Sequence, residues 1–123
     1  MKIVTAIIKP MMLDAVTNAL TAEGIGGMTV YEVKGFGQQR GHAGRAHLTA
    51  LTQAPHSGAN DPAVQFVSKL RLDVAVKDDR VEQIVEAIIS AAQTGGVGDG
   101  KVFVTDLPQV VRIRNRETGD AAL

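Results

Sequence analysis

KLRLDVAV, Lys69 to Val76, alternates apolar and polar residues cleanly as far as Val74, with the small Ala75 in the last polar-face position. Leu70, Leu72, Val74 and Val76 fall on one face and Lys69, Arg71 and Asp73 on the other, the period-two pattern of a strand with one side against a core. The period then changes. Asp79-x-x-Glu82 has the spacing of a capping box, and Val81, Ile84, Val85 and Ile88 recur at helical intervals, which predicts an amphipathic helix ending near Ala92. Val102 to Thr105 reads as a strand again, so the unit is strand, helix, strand.

A similar unit precedes it. Lys2 to Lys9 is a short apolar run closed by Pro10, Leu13, Val16 and Leu20 recur at helical spacing until Gly24, and Met28 to Phe36 reads as a strand. Two such units predict one α+β domain over residues 1–123 with a ferredoxin-like double βαβ plan: a four-stranded antiparallel sheet, two helices, and a long loop between strands two and three. Two helices cover only one face of such a sheet. The first strand is apolar on both sides, Ile3 and Ile7 against Val4, Ala6 and Ile8, so its second face is expected to be buried by another subunit.

Between helix and final strand lies TGGVGDGKVFV, Thr94 to Val104, followed after a gap by Arg112-Ile113-Arg114. Glycines let a backbone approach a ligand closely, and Lys101 with the two arginines supplies charge for an anion. A bare turn also favours glycine. The spacing matches neither G-x-x-x-x-G-K-[ST] nor a strand-first G-x-G-x-x-G, which removes P-loop and Rossmann readings. Arg112 and Arg114 read equally as an alternating surface strand.

Composition narrows the function classes. The chain has 13 basic and 13 acidic residues, so it lacks the field of a nucleic-acid binder, and with 3% aromatics it lacks a base-stacking platform. There is no cysteine, which removes disulfides, zinc-thiolate sites and a cysteine nucleophile. The apolar start is too short for a secretory or membrane-spanning segment, and a soluble cytoplasmic protein is expected.

Four blocks, in order, resemble the PII signal-transduction proteins of nitrogen regulation: KIVTAIIKP (Lys2 to Pro10), GMTVYEVKGFG (Gly27 to Gly37), TGGVGDGKVFV and RIRNRETGDAAL (Arg112 to Leu123). Gly41 to Phe66 departs from the family pattern. The resemblance implies a homotrimer with ATP or ADP in clefts between subunits. Residues 92–101 would be the nucleotide-binding B-loop, 107–123 a C-terminal segment, and about 37–66 the T-loop that touches targets. That loop is about ten residues longer than is usual for the family, and mobility without a partner is expected of it.

By this resemblance the phosphates would lie against Val97, Gly98, Asp99, Gly100 and Lys101, with Arg112 and Arg114 added from the C-terminal segment of the same subunit. Gly37 and Gln38 would also face the nucleotide. Adenine would sit among Ile7, Gly35, Phe36 and Ala75, with Met28 and Thr29 coming from the neighbouring subunit. The resemblance further implies 2-oxoglutarate as second effector, chelating an ATP-bound Mg2+ that Gln39 also coordinates. Lys69 would pair with its distal carboxylate, and Arg40 and Gly41 would complete the pocket. Without the resemblance, Lys69 is a solvated lysine at a strand start and Gln39 a loop polar.

Gly96 stands where the family usually has Lys or Arg, and the only tyrosine, Tyr31, falls on a strand, so the loop has none to accept a nucleotidyl group. His42, His47 and His56 all fall in the loop beside Arg40 and Arg45; their spacing fits no compact metal motif, and they are read as partner-binding loop residues or solvated polars. The resulting expectation is a non-enzymatic sensor of adenine nucleotides that regulates a transporter, such as an ammonium channel, or an enzyme of nitrogen metabolism, with recruitment to the membrane by that transporter. The alternatives are a PII-like regulator of inorganic carbon (bicarbonate or carboxysome) or metal transport, a histidine-based metal binder, and a weak ATPase. No candidate base accompanies the loop for the last of these, and Asp99 reads more simply as a turn-stabilising residue.

Overall fold

The computed structural model describes residues 1–37 and 66–123. Its elements are β1 (Lys2–Ile8), α1 (Leu13–Ala22), β2 (Thr29–Gly35), β3 (Val67–Val76), α2 (Val81–Ala92) and β4 (Gly100–Asp106), with short 3-10 turns at Pro10–Met12, Asp78–Arg80 and Gly119–Ala122. The strands form one sheet in the order β2-β3-β1-β4, every pair antiparallel. Both βαβ units expected from the periodicities are present, interleaved so that the first strand of each unit lies at the centre.

Register sorts the faces. Val4 pairs with Val74 on one side and Val104 on the other, and Ala6 with Leu72 and Val102, which puts these residues on the helix side. There Val4, Ala6, Ile8, Leu72, Val74 and Val76 meet Val16 and Leu20 of α1 and Ile84, Ile88 and Ala92 of α2 in a single buried core. Val81 and Val85 pack at its margin. Burying side chains of this size against the sheet contributes roughly 1.5–3 kcal/mol each before chain entropy is subtracted.

Helix α1 stops where the chain demands a left-handed residue. Gly24 has φ of 78°, its N–H donates to the Thr21 carbonyl, and the Ile25 N–H reaches back to the Leu20 carbonyl at 3.0 Å. These are the paired bonds of a Schellman stop, with Ile25 packed on the core behind them.

The start of α2 differs from the capping-box expectation. Asp79 makes no side-chain cap; a 3-10 turn over Asp78–Arg80 leads in instead, and Arg80 occupies the cap position. The Arg80 N–H is taken by the Lys77 carbonyl at 3.0 Å, so the entry is closed by backbone. The side chains are committed elsewhere. Asp78 pairs with the N-terminal amine at 2.9 Å, and the Arg80 guanidinium donates to the Glu23 carbonyl at 2.6 Å, tying α2 to the end of α1.

Among the described residues no helix covers the other face, which carries Ile3, Thr5 and Ile7 of β1 between Lys69, Arg71, Asp73 and Ala75 of β3 and Lys101, Phe103 and Thr105 of β4. Thr5, Arg71 and Asp73 are matched with one another on it. The Thr5 hydroxyl donates to Asp73 at 2.7 Å, Arg71 donates to the same carboxylate at 3.0 Å, and the Arg71 guanidinium lies 5.5 Å from the Tyr31 ring centre. Burial opposes the charged form of Asp73, yet the bonds from Arg71 and Thr5 outweigh it and hold the carboxyl below its usual range.

Candidate functional site

Where β1 ends, β4 begins. Ile8 pairs with Gly100 and Ile7 with Lys101, so the glycine loop that follows α2 is delivered to the C-terminal end of the central strand. The fit there is tight. A Cβ on Gly100, whose φ is 111°, would stand 1.7 Å from the Ile7 carbonyl oxygen.

The loop is organised around Asp99. Its carboxylate accepts the backbone N–H groups of Thr94 and Gly95 at 2.7 and 2.9 Å, the Thr94 hydroxyl at 2.5 Å and the Lys9 ammonium at 3.1 Å. The Thr94 hydroxyl leads in holding the Asp99 carboxyl far below the ordinary carboxylate range, with the Thr94 amide, Lys9 and Gly95 adding to it against the cost of burial. The turn-stabilising role expected of Asp99 is what the geometry shows. A depressed native value means that its stabilisation is complete above the unfolded carboxylate range and is lost as pH falls below it. Urea unfolding across an acid pH series is therefore expected to show a shallower loss of stability for Asp99→Asn than for the parent chain; parallel curves would remove Asp99 as a source of acid sensitivity.

Beside the loop is a cleft of about 620 Å3. Ile7, Gly35 and Phe103 line it from the sheet, Phe36, Gly37 and Val67 from the ends of β2 and β3, and residues 96–101 from the glycine loop. Among the described residues two cations reach it, Lys101 and Lys69. The Lys69 ammonium donates to the Gly98 carbonyl at 2.5 Å, and burial first, then the nearby Lys9 charge, lowers its pKa. Lys101 has no carboxylate partner among the described residues. An apolar wall, a glycine backbone and two ammonium groups suit a flat ring carrying anionic oxygens. A larger depression of about 780 Å3, lined by Pro10, Glu32, Lys34, Phe66 and Ser68 among others, shares Lys69 but has no part of the glycine loop.

Of the residues expected at a nucleotide, Ile7, Gly35, Phe36, Gly37, Val97, Gly98, Asp99, Gly100 and Lys101 come together in this cleft. Ala75 does not. It pairs with Ile3, four residues along β1 from Ile7 and therefore about 13 Å away. Its place is at the far end of the sheet, near Thr29, which pairs with Asp73, and Met28. The placement of Ala75 beside Ile7 in one subunit is thus corrected by register.

Arg112 and Arg114 are also absent from this chain's cleft. Arg112 is committed to its own segment: it pairs with Glu117 and donates to the carbonyls of Ala121 and Leu123 at 2.9 and 3.3 Å. Arg114 is exposed. Gln38, Gln39, Arg40, Gly41, His42, Arg45, His47 and His56 lie outside the described residues, and among those described no group of three His, Cys, Asp or Glu side chains is placed to hold a metal ion. Sequence reasoning missed Lys9, Phe103 and Phe66. The last meets Phe36 edge-on, ring centres 5.4 Å apart. The available signal for Lys9 was its position directly after the strand that pairs with the loop.

Residues 1–117 match the family model described as nitrogen regulatory protein P-II. The chain belongs to the P-II family. Across the full length of both chains this P-II protein is 46% identical to nitrogen regulatory protein GlnK of Escherichia coli strain K12, 48% to nitrogen regulatory protein P-II of Rhizobium etli, and 49% to nitrogen regulatory protein P-II 1 of Escherichia coli strain K12. P-II proteins are signalling regulators of nitrogen metabolism rather than enzymes, and the four-stranded sheet with two helices is the ferredoxin-like fold of the family. Among the described residues no helix is long and apolar enough to cross a membrane.

Proposed function

We propose that this P-II protein senses adenine nucleotides in the cleft beside its glycine loop and reports their presence, together with 2-oxoglutarate, to a transporter or enzyme of nitrogen metabolism. The observation that carries this is the convergence of the GDGK backbone, Lys101 and Lys69 on one apolar-walled cleft. ATP and ADP fit it by charge and shape. Asp99, the only carboxylate lining the cleft among the described residues, is spent on Thr94, Gly95 and Lys9, so it supplies neither a general base nor a metal ligand. A Mg2+ ion would arrive on the phosphates, with Gln39 as its protein ligand.

The working unit is a homotrimer acting in the cytoplasm. The helix-free sheet face would be covered by neighbouring copies, and Met28, Thr29 and Ala75, all at the far end of the sheet, would close a neighbour's cleft rather than their own chain's. The loop over about 37–66 would carry the signal, and an ammonium channel is a fitting target. Ligand effects on such a loop require different affinities for its conformations, and that coupling is what makes the protein a switch.

Calorimetry with ATP-Mg2+, with and without 2-oxoglutarate, tests the reading. ATP is expected to bind, 2-oxoglutarate to tighten it, and Lys69→Ala to remove most of that tightening, in addition to any loss of ATP affinity from the cleft and loop contacts of Lys69. If 2-oxoglutarate leaves ATP affinity unchanged in the parent chain, the second-effector assignment fails. Turnover near ~10 per second would instead make the protein an ATPase.

A further inference from the structure

We propose that Lys9 is a positioning residue of the nucleotide cleft, holding the glycine loop in its binding form through Asp99; the inference rests on the nucleotide reading above. Lys9 directly follows β1, whose last residue pairs with Gly100, so its backbone is fixed beside the loop by the sheet ladder. Its ammonium lies 3.1 Å from Asp99 Oδ1 and 3.5 Å from the Thr94 hydroxyl, and the Lys9 and Asp99 side chains are only 21% and 22% exposed. Lys9 does not line the cleft. It therefore acts on a ligand through Asp99 and the loop, not by touching phosphate.

The chemistry explains why a cation is needed there. Asp99 gathers the two amides and the hydroxyl that shape the start of the loop, and those bonds require a charged carboxylate. The same carboxylate sits one residue from Gly98 and Gly100, where an incoming polyphosphate would meet its negative charge. Lys9 neutralises Asp99, so the loop keeps its acceptor without repelling its ligand. Lys69, on the Gly98 carbonyl, holds the other side of the turn. One lysine thus serves the loop's internal acceptor and the other its backbone.

The test uses the full chain with ATP-Mg2+ as ligand and four variants: Lys9→Ala, Lys9→Arg, Asp99→Asn and the double variant Lys9→Ala/Asp99→Asn. Lys9→Ala is expected to weaken ATP binding about tenfold, and Lys9→Arg to recover it to within about threefold. In the Asp99→Asn background, Lys9→Ala should cost less than about twofold more, because its route to the ligand is already cut. Amide hydrogen exchange on nucleotide-free protein should speed up across residues 94–100 in Lys9→Ala and stay unchanged in α1 and the core strands. Parent-like affinity in Lys9→Ala, no recovery with arginine, or additive losses in the double variant would overturn the assignment. Failure of the parent chain to bind ATP would sink the nucleotide reading instead, while exchange across 94–100 would still decide whether Lys9 orders the loop.

Discussion

Gly100→Ala is expected to abolish measurable ATP binding and to lower folding stability by about 3 kcal/mol, the sum of backbone strain and lost strand pairing. A methyl group there would sit 1.7 Å from the Ile7 carbonyl oxygen, well inside contact distance, and the φ of 111° is one that alanine resists. The obstacle is backbone, so no side-chain rotation relieves it. To admit the methyl, β4 has to leave β1 at its first residue, and the cleft wall formed by Ile7 opens with it. Urea unfolding and nucleotide calorimetry on the same preparation check both halves. Stability within 1 kcal/mol of the parent would show that the strand yields more easily than the register implies.

Lys101→Ala carries the second large effect, and it should be confined to binding. The lysine is exposed and has no ion-pair partner among the described residues, so its removal is expected to change stability by less than about 0.5 kcal/mol. It lies on the open face opposite Ile7 and lines the cleft. Loss of one charge-assisted contact to phosphate is worth about 1.5–3 kcal/mol, so ATP affinity should fall roughly 10- to 100-fold. Reversal to Lys101→Glu should weaken it further. A loss of ATP affinity no greater than twofold would remove Lys101 from the phosphate site.

The two predictions separate what was legible in the chain from what was not. The strands and helices were legible because period two and period 3.6 are local: KLRLDVAV states its faces without help from the rest of the molecule. The glycine loop was legible for the same reason, as a composition that only a close backbone approach or a tight turn requires. Ala75 was misplaced because residue type does not reveal which end of a strand meets which loop; pairing with Ile3 rather than Ile7 settles that. Arg112 looked available for an anion because Glu117 and the carbonyls of Ala121 and Leu123 compete for it only after the C-terminal segment turns back. Asp79 matched a capping pattern, but the Lys77 carbonyl closed the helix entry first. Lys9 was hidden by its neighbours, a lone lysine before a proline at the end of an apolar run. For Ala75 and Lys9 the deciding partner is distant in sequence, whereas Lys77 and Glu117 act from only a few residues away.

The strand order has a mechanical consequence for the glycine loop. Of its two anchoring lysines, Lys9 directly follows β1 and Lys69 lies on β3, the inner strands, each hydrogen-bonded on both sides, while the loop itself leads into an edge strand. An edge alone frays easily; clasped from the middle of the sheet, the loop shares the stiffness of the most constrained backbone in the protein. A phosphate arriving there would meet a loop already held by the folded sheet, so little conformational entropy would be left to lose on contact.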